Sequence, residues 1–192
     1  MKKILFIVFT VLPLFFLIGC ATTTFRVEPR APDMDTLLIG QIEVHVSGWP
    51  STEMNRVHKS NIQAYLYDYA EDKWTQVTTR DEGTFYLVTS HASNKFWIGG
   101  FLVGGKTRGG TSKISLDYGK AVVVQGGQVN NLGRIVSTVK VIGRKQVGTG
   151  TKIDISTNYI VRYGEIQPWF KETFPDSEWN DKQWFDSPHL GP

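Results

Sequence analysis

Alternation with a period of two constrains this chain more than any other feature. Ile42, Val44 and Val46 alternate with Gln41, Glu43, His45 and Ser47, and Gly48-Trp49-Pro50 ends the run. Successive side chains of a strand point to opposite faces, so this pattern describes a half-buried strand. Ile62, Ala64 and Leu66 repeat it, with Tyr65, Tyr67 and Tyr69 on the other face. Further β-like segments are Trp74–Thr79, Thr84–Ser90, Lys95–Val103, Ser112–Leu116, Ala121–Gln125, Leu132–Ile142 and Lys152–Val161. Turn residues separate them, among them Glu71-Asp72 and Asp81-Glu82-Gly83. Strands at this spacing predict an all-β fold, an antiparallel β-sandwich of about seven to nine strands. A short helical tail is expected to follow, with Pro168 near the start of a helix in Gly164–Phe174 and Ser177 capping a second one.

The N-terminus reads differently. Met1-Lys2-Lys3 precedes an uncharged, apolar run from Ile4 to Ile18 that ends in Leu17-Ile18-Gly19-Cys20. A positive start, an apolar stretch and a small residue before the cut describe a secretory signal. The stretch is shorter than the ~20 apolar residues of a membrane span, and Pro13 interrupts it. Leu17-Ile18-Gly19-Cys20 resembles the bacterial lipobox. That resemblance implies cleavage between Gly19 and Cys20, a diacylglycerol on the Cys20 thiol, and a membrane lipid as partner through the acylated residue. Ala21 stands where the same family reads a sorting signal, and its not being Asp implies the outer membrane of a two-membrane cell envelope. Cys20 is the sole cysteine, so an internal disulfide is excluded. The expected organisation is a signal peptide over 1–19, a lipidated cysteine and tether over 20–36, a β-sandwich over 37–163 and a helical, aromatic and acidic tail over 164–192.

Three segments resemble the carboxypeptidase-regulatory or transthyretin-like domain: Gly40-Gln-Ile-Glu-Val-His-Val, Ile62-Gln-Ala-Tyr-Leu-Tyr, and Thr79-Arg-Asp-Glu-Gly-Thr-Phe-Tyr-Leu. Thr79, Asp81, Gly83 and Phe85 stand at that family's hairpin positions. Val129-Asn-Asn-Leu-Gly-Arg-Ile135 is similar to a strand of bacterial lipoproteins carrying such domains. Ser93-Asn94-Lys95-Phe96 replaces the family's Pro-Gly-x-Tyr step. The resemblance spans roughly 39–142. It implies a prealbumin-like or immunoglobulin-like sandwich and a binding or scaffold role without catalysis.

Charge is segregated along the chain. The formal net charge is +3, and loss of Lys2 and Lys3 with the signal would leave the rest close to neutral. Residues 95–162 carry eleven Lys and Arg against two Asp, whereas 163–192 carry six acidic residues against two Lys. Two readings stand: mutual neutralisation on one folded surface, or a basic face toward anionic headgroups or glycans. Nucleic acid is not an expected partner of an exported lipoprotein.

Chemical motifs are sparse. Gly100-Phe-Leu-Val-Gly-Gly-Lys-Thr107 matches the P-loop string, but Arg-Gly-Gly-Thr-Ser follows in place of a helix N-terminus. Phosphate binding needs that helix. The expectation is a hairpin loop at Gly104–Gly110 and no nucleotide. His45, His58, His91 and His189 lack ligand spacing, so no metal or other cofactor is expected. No Gly-x-Ser-x-Gly elbow occurs, and no catalytic residue is assigned. Six Trp and seven Tyr are the remaining signal. They read either as interlayer packing or as an exposed platform for a glycan or protein partner. Trp49, Tyr65, Tyr67 and Tyr69 are the candidate ligand-binding residues. The tail aromatics Trp169, Phe170, Trp179, Trp184 and Phe185 are expected to pin the tail to the sandwich. The function expected is a membrane-anchored bacterial lipoprotein, a non-catalytic envelope binding or scaffold module. The alternative is an accessory subunit of an envelope complex that docks through its C-terminal tail.

Overall fold

A computed structural model describes residues 35–50, 52–89, 94–107, 110–148 and 150–191. The signal segment, Gly19, Cys20 and nearly all of the tether lie outside the described residues, as do His91 and Ser93.

Two sheets face each other. The first contains β1 (Thr36–Ser47), β2 (Val57–His58), β5 (Thr84–Thr89), β8 (Val129–Val147), β9 (Gly150–Arg162) and β10 (Trp184–Asp186). The second contains β3 (Ile62–Asp68), β4 (Lys73–Thr78), β6 (Lys95–Thr107), β7 (Gly110–Val123) and β11 (His189–Leu190), in the order β11-β7-β6-β3-β4. The expected β-sandwich with a short helical tail is what the chain forms. The inner residues of the alternating runs, such as Ile42, Ile62, Leu66, Ile98 and Ile135, fill one core between the sheets.

Three details differ from the sequence expectation. Among the described residues eleven strands stand where seven to nine were expected, because β2, β10 and β11 are two or three residues long and too short to show a period. Ser112–Leu116 and Ala121–Gln125 are not two strands but lie largely in β7, which passes its break by a bulge with Gly119 at φ +59. The sandwich is also not wholly antiparallel. β1 and β10 both run parallel to β8. The chain leaves β1, builds the second sheet and returns as β8, so no tight hairpin dictates the direction of that pair.

β1 is central, between β8 on one side and β2 and β5 on the other. Its Leu37-Leu38-Ile39 run is buried on both faces, as befits a covered central strand. Leu38 enters the main core; Leu37 and Ile39 face a second one. That second core is supplied by the tail. Helix α1 (Ile166–Thr173) contributes Ile166 and Phe170, and the following turn contributes Phe174 and Trp179. Ser177 caps the 3-10 turn Glu178–Asp181, its side chain accepting from the Trp179 amide. Trp169 and Trp184 pack half-buried against the same cluster, and Phe185 is half-buried on β10. The tail then crosses to the second sheet, where β11 pairs with β7.

The hairpin positions behave as local chemistry requires. The Thr79 hydroxyl donates to Lys59 O and accepts from the Ile62 amide, tying two strands. Gly83 sits at φ +83, and a Cβ there would lie 2.2 Å from Ile42 O. Phe85 lies directly opposite Gly40 and lays its ring where a Gly40 side chain would be.

Candidate functional site

The outer face of the second sheet carries a cluster of exposed and half-buried aromatics. β3 buries Ile62, Ala64, Leu66 and Asp68, leaving Gln63, Tyr65 and Tyr67 on the outer side. The β3–β4 register sets Tyr67 opposite Trp74, and the β3–β6 register sets Tyr67 opposite Trp97. Three aromatic residues therefore stand in one row across three strands, with the Trp97 indole reaching toward Gly119 of β7. Tyr67 and Trp74 have centroids 5.2 Å apart, tilted at 46°. Tyr69 meets Tyr67 edge to face at 5.1 Å, and Lys95 Nζ sits 4.9 Å from the Tyr69 ring centre. Such distances lie within the range for favourable aromatic and cation–π contacts.

Trp74 is the organising residue. It belongs to β4, yet its indole reaches across β3 to β6: a Cβ on Gly99 would lie 2.8 Å from Trp74 Cη2. Gly99 is the extra residue of a bulge in β6, where Tyr65 pairs with Gly100 and Leu66 with Ile98. The Cη2–Cζ3 edge of the indole thus abuts backbone that carries no side chain, and the residue remains 55 % exposed. Bulges often re-aim residues beside functional sites. The rim is polar: the Tyr67 hydroxyl donates to Asp72, which raises the Tyr67 pKa, and the Tyr65 hydroxyl donates to Gln63 at 3.3 Å.

Of the four candidate residues, Tyr65, Tyr67 and Tyr69 fall on this face and Trp49 does not. Gly48, at φ +75, turns the chain away after β1. Trp49 then packs half-buried against the main core, its amide donating to Asn55 Oδ1 at 2.6 Å. Trp74 and Trp97 complete the face instead. The signal for Trp74 was present: the Glu71-Asp72 turn sets the register that brings it opposite Tyr67.

Other polar groups serve the fold. On the outer face of the first sheet Glu43 receives Arg134, His45 at 2.5 Å and Lys59 at 3.2 Å. Burial alone would raise the Glu43 carboxyl, but these hydrogen bonds and the Arg134 charge outweigh it and lower the pKa to about 2. Arg134 also holds Glu165 at 2.6 Å, fastening the start of the tail. His58 bonds Met54 O at 3.0 Å. His189 Nε2 donates to Leu132 O at 2.8 Å, so Nδ1 accepts from the Tyr118 hydroxyl at 2.7 Å. Burial lowers the His189 pKa and raises that of Tyr118. The described histidines therefore do not converge, and no group of three or more His, Cys, Asp or Glu suited to a metal occurs among the described residues.

The P-loop string lies in a strand. Gly104–Thr107 pairs with Gly110–Lys113, so the expected loop at Gly104–Gly110 is narrower and β6 runs to Thr107. Among the described residues the next element is β7, not a helix that would hold phosphate. Among the described residues no helix is long and apolar enough to cross a membrane. No family model matches the chain, and no curated protein matches it in sequence.

Proposed function

We propose that this chain is a lipid-anchored, non-catalytic binding module of the bacterial cell envelope. In this reading Cys20 carries the lipid, and the Tyr65, Tyr67, Tyr69, Trp74 and Trp97 face carries the ligand. The outer membrane is the proposed site, on the strength of Ala21. The anchor rests on Leu17-Ile18-Gly19-Cys20 and the apolar run before it. With β1 starting at Thr36, the tether 21–35 allows a reach of at most about 50 Å. The transthyretin-like resemblance of the hairpin residues supports a binding role.

The observation that carries the ligand reading is the exposed Trp74 indole, held with its outer edge against Gly99 and beside Tyr67. An aromatic face is electron-rich and attracts positively polarised C–H groups. A pyranose with equatorial substituents offers such a flat C–H face, while its hydroxyls suit the Asp72, Gln63 and Lys95 rim. A glycan of this kind is the proposed ligand class. The alternative, docking through the tail, has less support, because Ile166, Phe170 and Trp179 are fully buried within the chain itself.

Two experiments test the proposal. Radiolabelled palmitate should label the wild type and not Cys20→Ala; labelling that survives the substitution defeats the anchor. A panel of soluble envelope-type oligosaccharides should bind the wild type and lose binding in Trp74→Ala. Binding indifferent to Trp74 defeats the site.

A further inference from the structure

β8 is the longest strand, and its two ends meet opposite kinds of surface. Its first residues pair with Trp184–Asp186 of the tail. There Glu172, Asp176, Glu178 and Asp181 are all exposed. Its partner β1 ends at Ser47, opposite Lys140. Beyond that point β8 pairs only with β9, as a two-stranded ribbon whose outer edges are unpaired among the described residues. The ribbon exposes Lys140, Arg144, Lys145 and Lys152 against the single acidic Asp154, together with Ile142 at 65 % and Val147 at 57 % exposure. Arg144 also braces the ribbon base by donating to Gly48 O at 2.7 Å. From Asn131 to Lys145 the strand spans roughly 45 Å at ~3.3 Å per residue.

Charge on a ribbon edge guards against indiscriminate strand pairing, which accounts for some lysines. It does not account for an acidic surface at the far end of the same strand. Without its signal segment the chain is close to neutral, so it is a dipole and not a polycation. The tether joins the fold at Thr36, beside the acidic end, because Leu37 pairs with Val129, and the ribbon projects from the opposite end of β8. The complementary surface present in this molecule belongs to another copy of it.

We propose that copies of this chain associate head to tail, the basic β8–β9 ribbon of one against the acidic tail of the next. The contact is heterologous, so it builds rings or open chains and not a closed two-fold dimer. It is independent of the glycan reading.

The lone native cysteine makes the test direct. In membranes of cells expressing the full chain, Gln146→Cys (ribbon) and Gln183→Cys (tail) are joined with a flexible thiol-to-thiol cross-linker. The double variant should give a ladder of dimers, trimers and higher species, whereas either single variant stays monomeric and the two singles mixed give dimers. Arg144→Glu with Lys145→Glu should reduce the ladder roughly tenfold or more, as juxtaposed like charges do. Asp176→Lys with Glu178→Lys should do the same. Co-expressing the two charge-reversed chains should restore the ladder, which unfolding of either would prevent. No ladder, a ladder indifferent to charge reversal, no recovery on co-expression, or dimers from Gln146→Cys alone would each overturn the proposal. So would a monomer whose ribbon instead holds it to anionic vesicles.

Discussion

Replacing Trp179 by alanine tests whether the tail is part of the folded unit. The indole is fully buried, within the cluster formed by Leu37, Ile39, Val129, Ile166 and Phe170. A buried Trp side chain removes ~150–250 Å² from water. At ~25 cal/mol per Å² that amounts to roughly 4–6 kcal/mol as an upper bound. Measured large-to-alanine losses of ~3–5 kcal/mol agree. The expected loss is therefore about 4 kcal/mol, a large share of the ~5–15 kcal/mol of a typical domain. Equilibrium unfolding in guanidinium, followed by circular dichroism and by fluorescence, should show one transition at a lower midpoint with an unchanged slope. Trp169→Ala, at a half-buried site, should cost less. A Trp179→Ala loss under about 1 kcal/mol, or a tail transition preceding that of the sandwich, would refute the second core as a cooperative element.

Other expectations follow from individual residues. The Glu43 carboxyl is lowered in the folded chain from 4.5 to about 2, so its stabilising contribution is complete above pH 4.5 and lost as pH falls toward 2. Glu43→Gln should flatten that part of an acid-unfolding profile, and an unchanged profile counts against the Arg134–Glu43 contact. His189 is lowered below 6.5 by burial, so stability should fall as pH drops below 6.5, where the unfolded chain takes up a proton that the folded chain resists. The slope should vanish in His189→Gln; a persisting slope assigns it elsewhere. Gly83→Ala would place a Cβ against Ile42 O at positive φ, at a cost above about 1 kcal/mol. A neutral result by thermal unfolding would argue against that turn.

The alternating runs made the sandwich legible because one face of each strand is buried and the other is wet. Leu37-Leu38-Ile39 hid its role, since a strand buried on both faces has no period to read. Its second partner, the tail, lies more than a hundred residues away in sequence. The parallel pairing of β1 with β8 was equally silent, because alternation is the same in either direction. At the candidate site, the three tyrosines of 65–69 were visible as one face of a strand. Trp49 lies apart from that face, because the Gly48 turn carries it against the main core, and aromatic character alone does not report that turn. Gly99 carried the decisive information, yet a glycine in a strand signals a close approach without naming what approaches.

The central claim is a ligand stacked on the Trp74 indole, and saturation-transfer NMR observes that contact directly. The full chain is irradiated at its aromatic protons in the presence of cellotetraose, a soluble oligomer of all-equatorial pyranose units. The ring C–H protons of the sugar should receive saturation, and the transfer should be lost in Trp74→Ala. Transfer that persists in that variant, or none to any such pyranose oligomer tested, would contradict it.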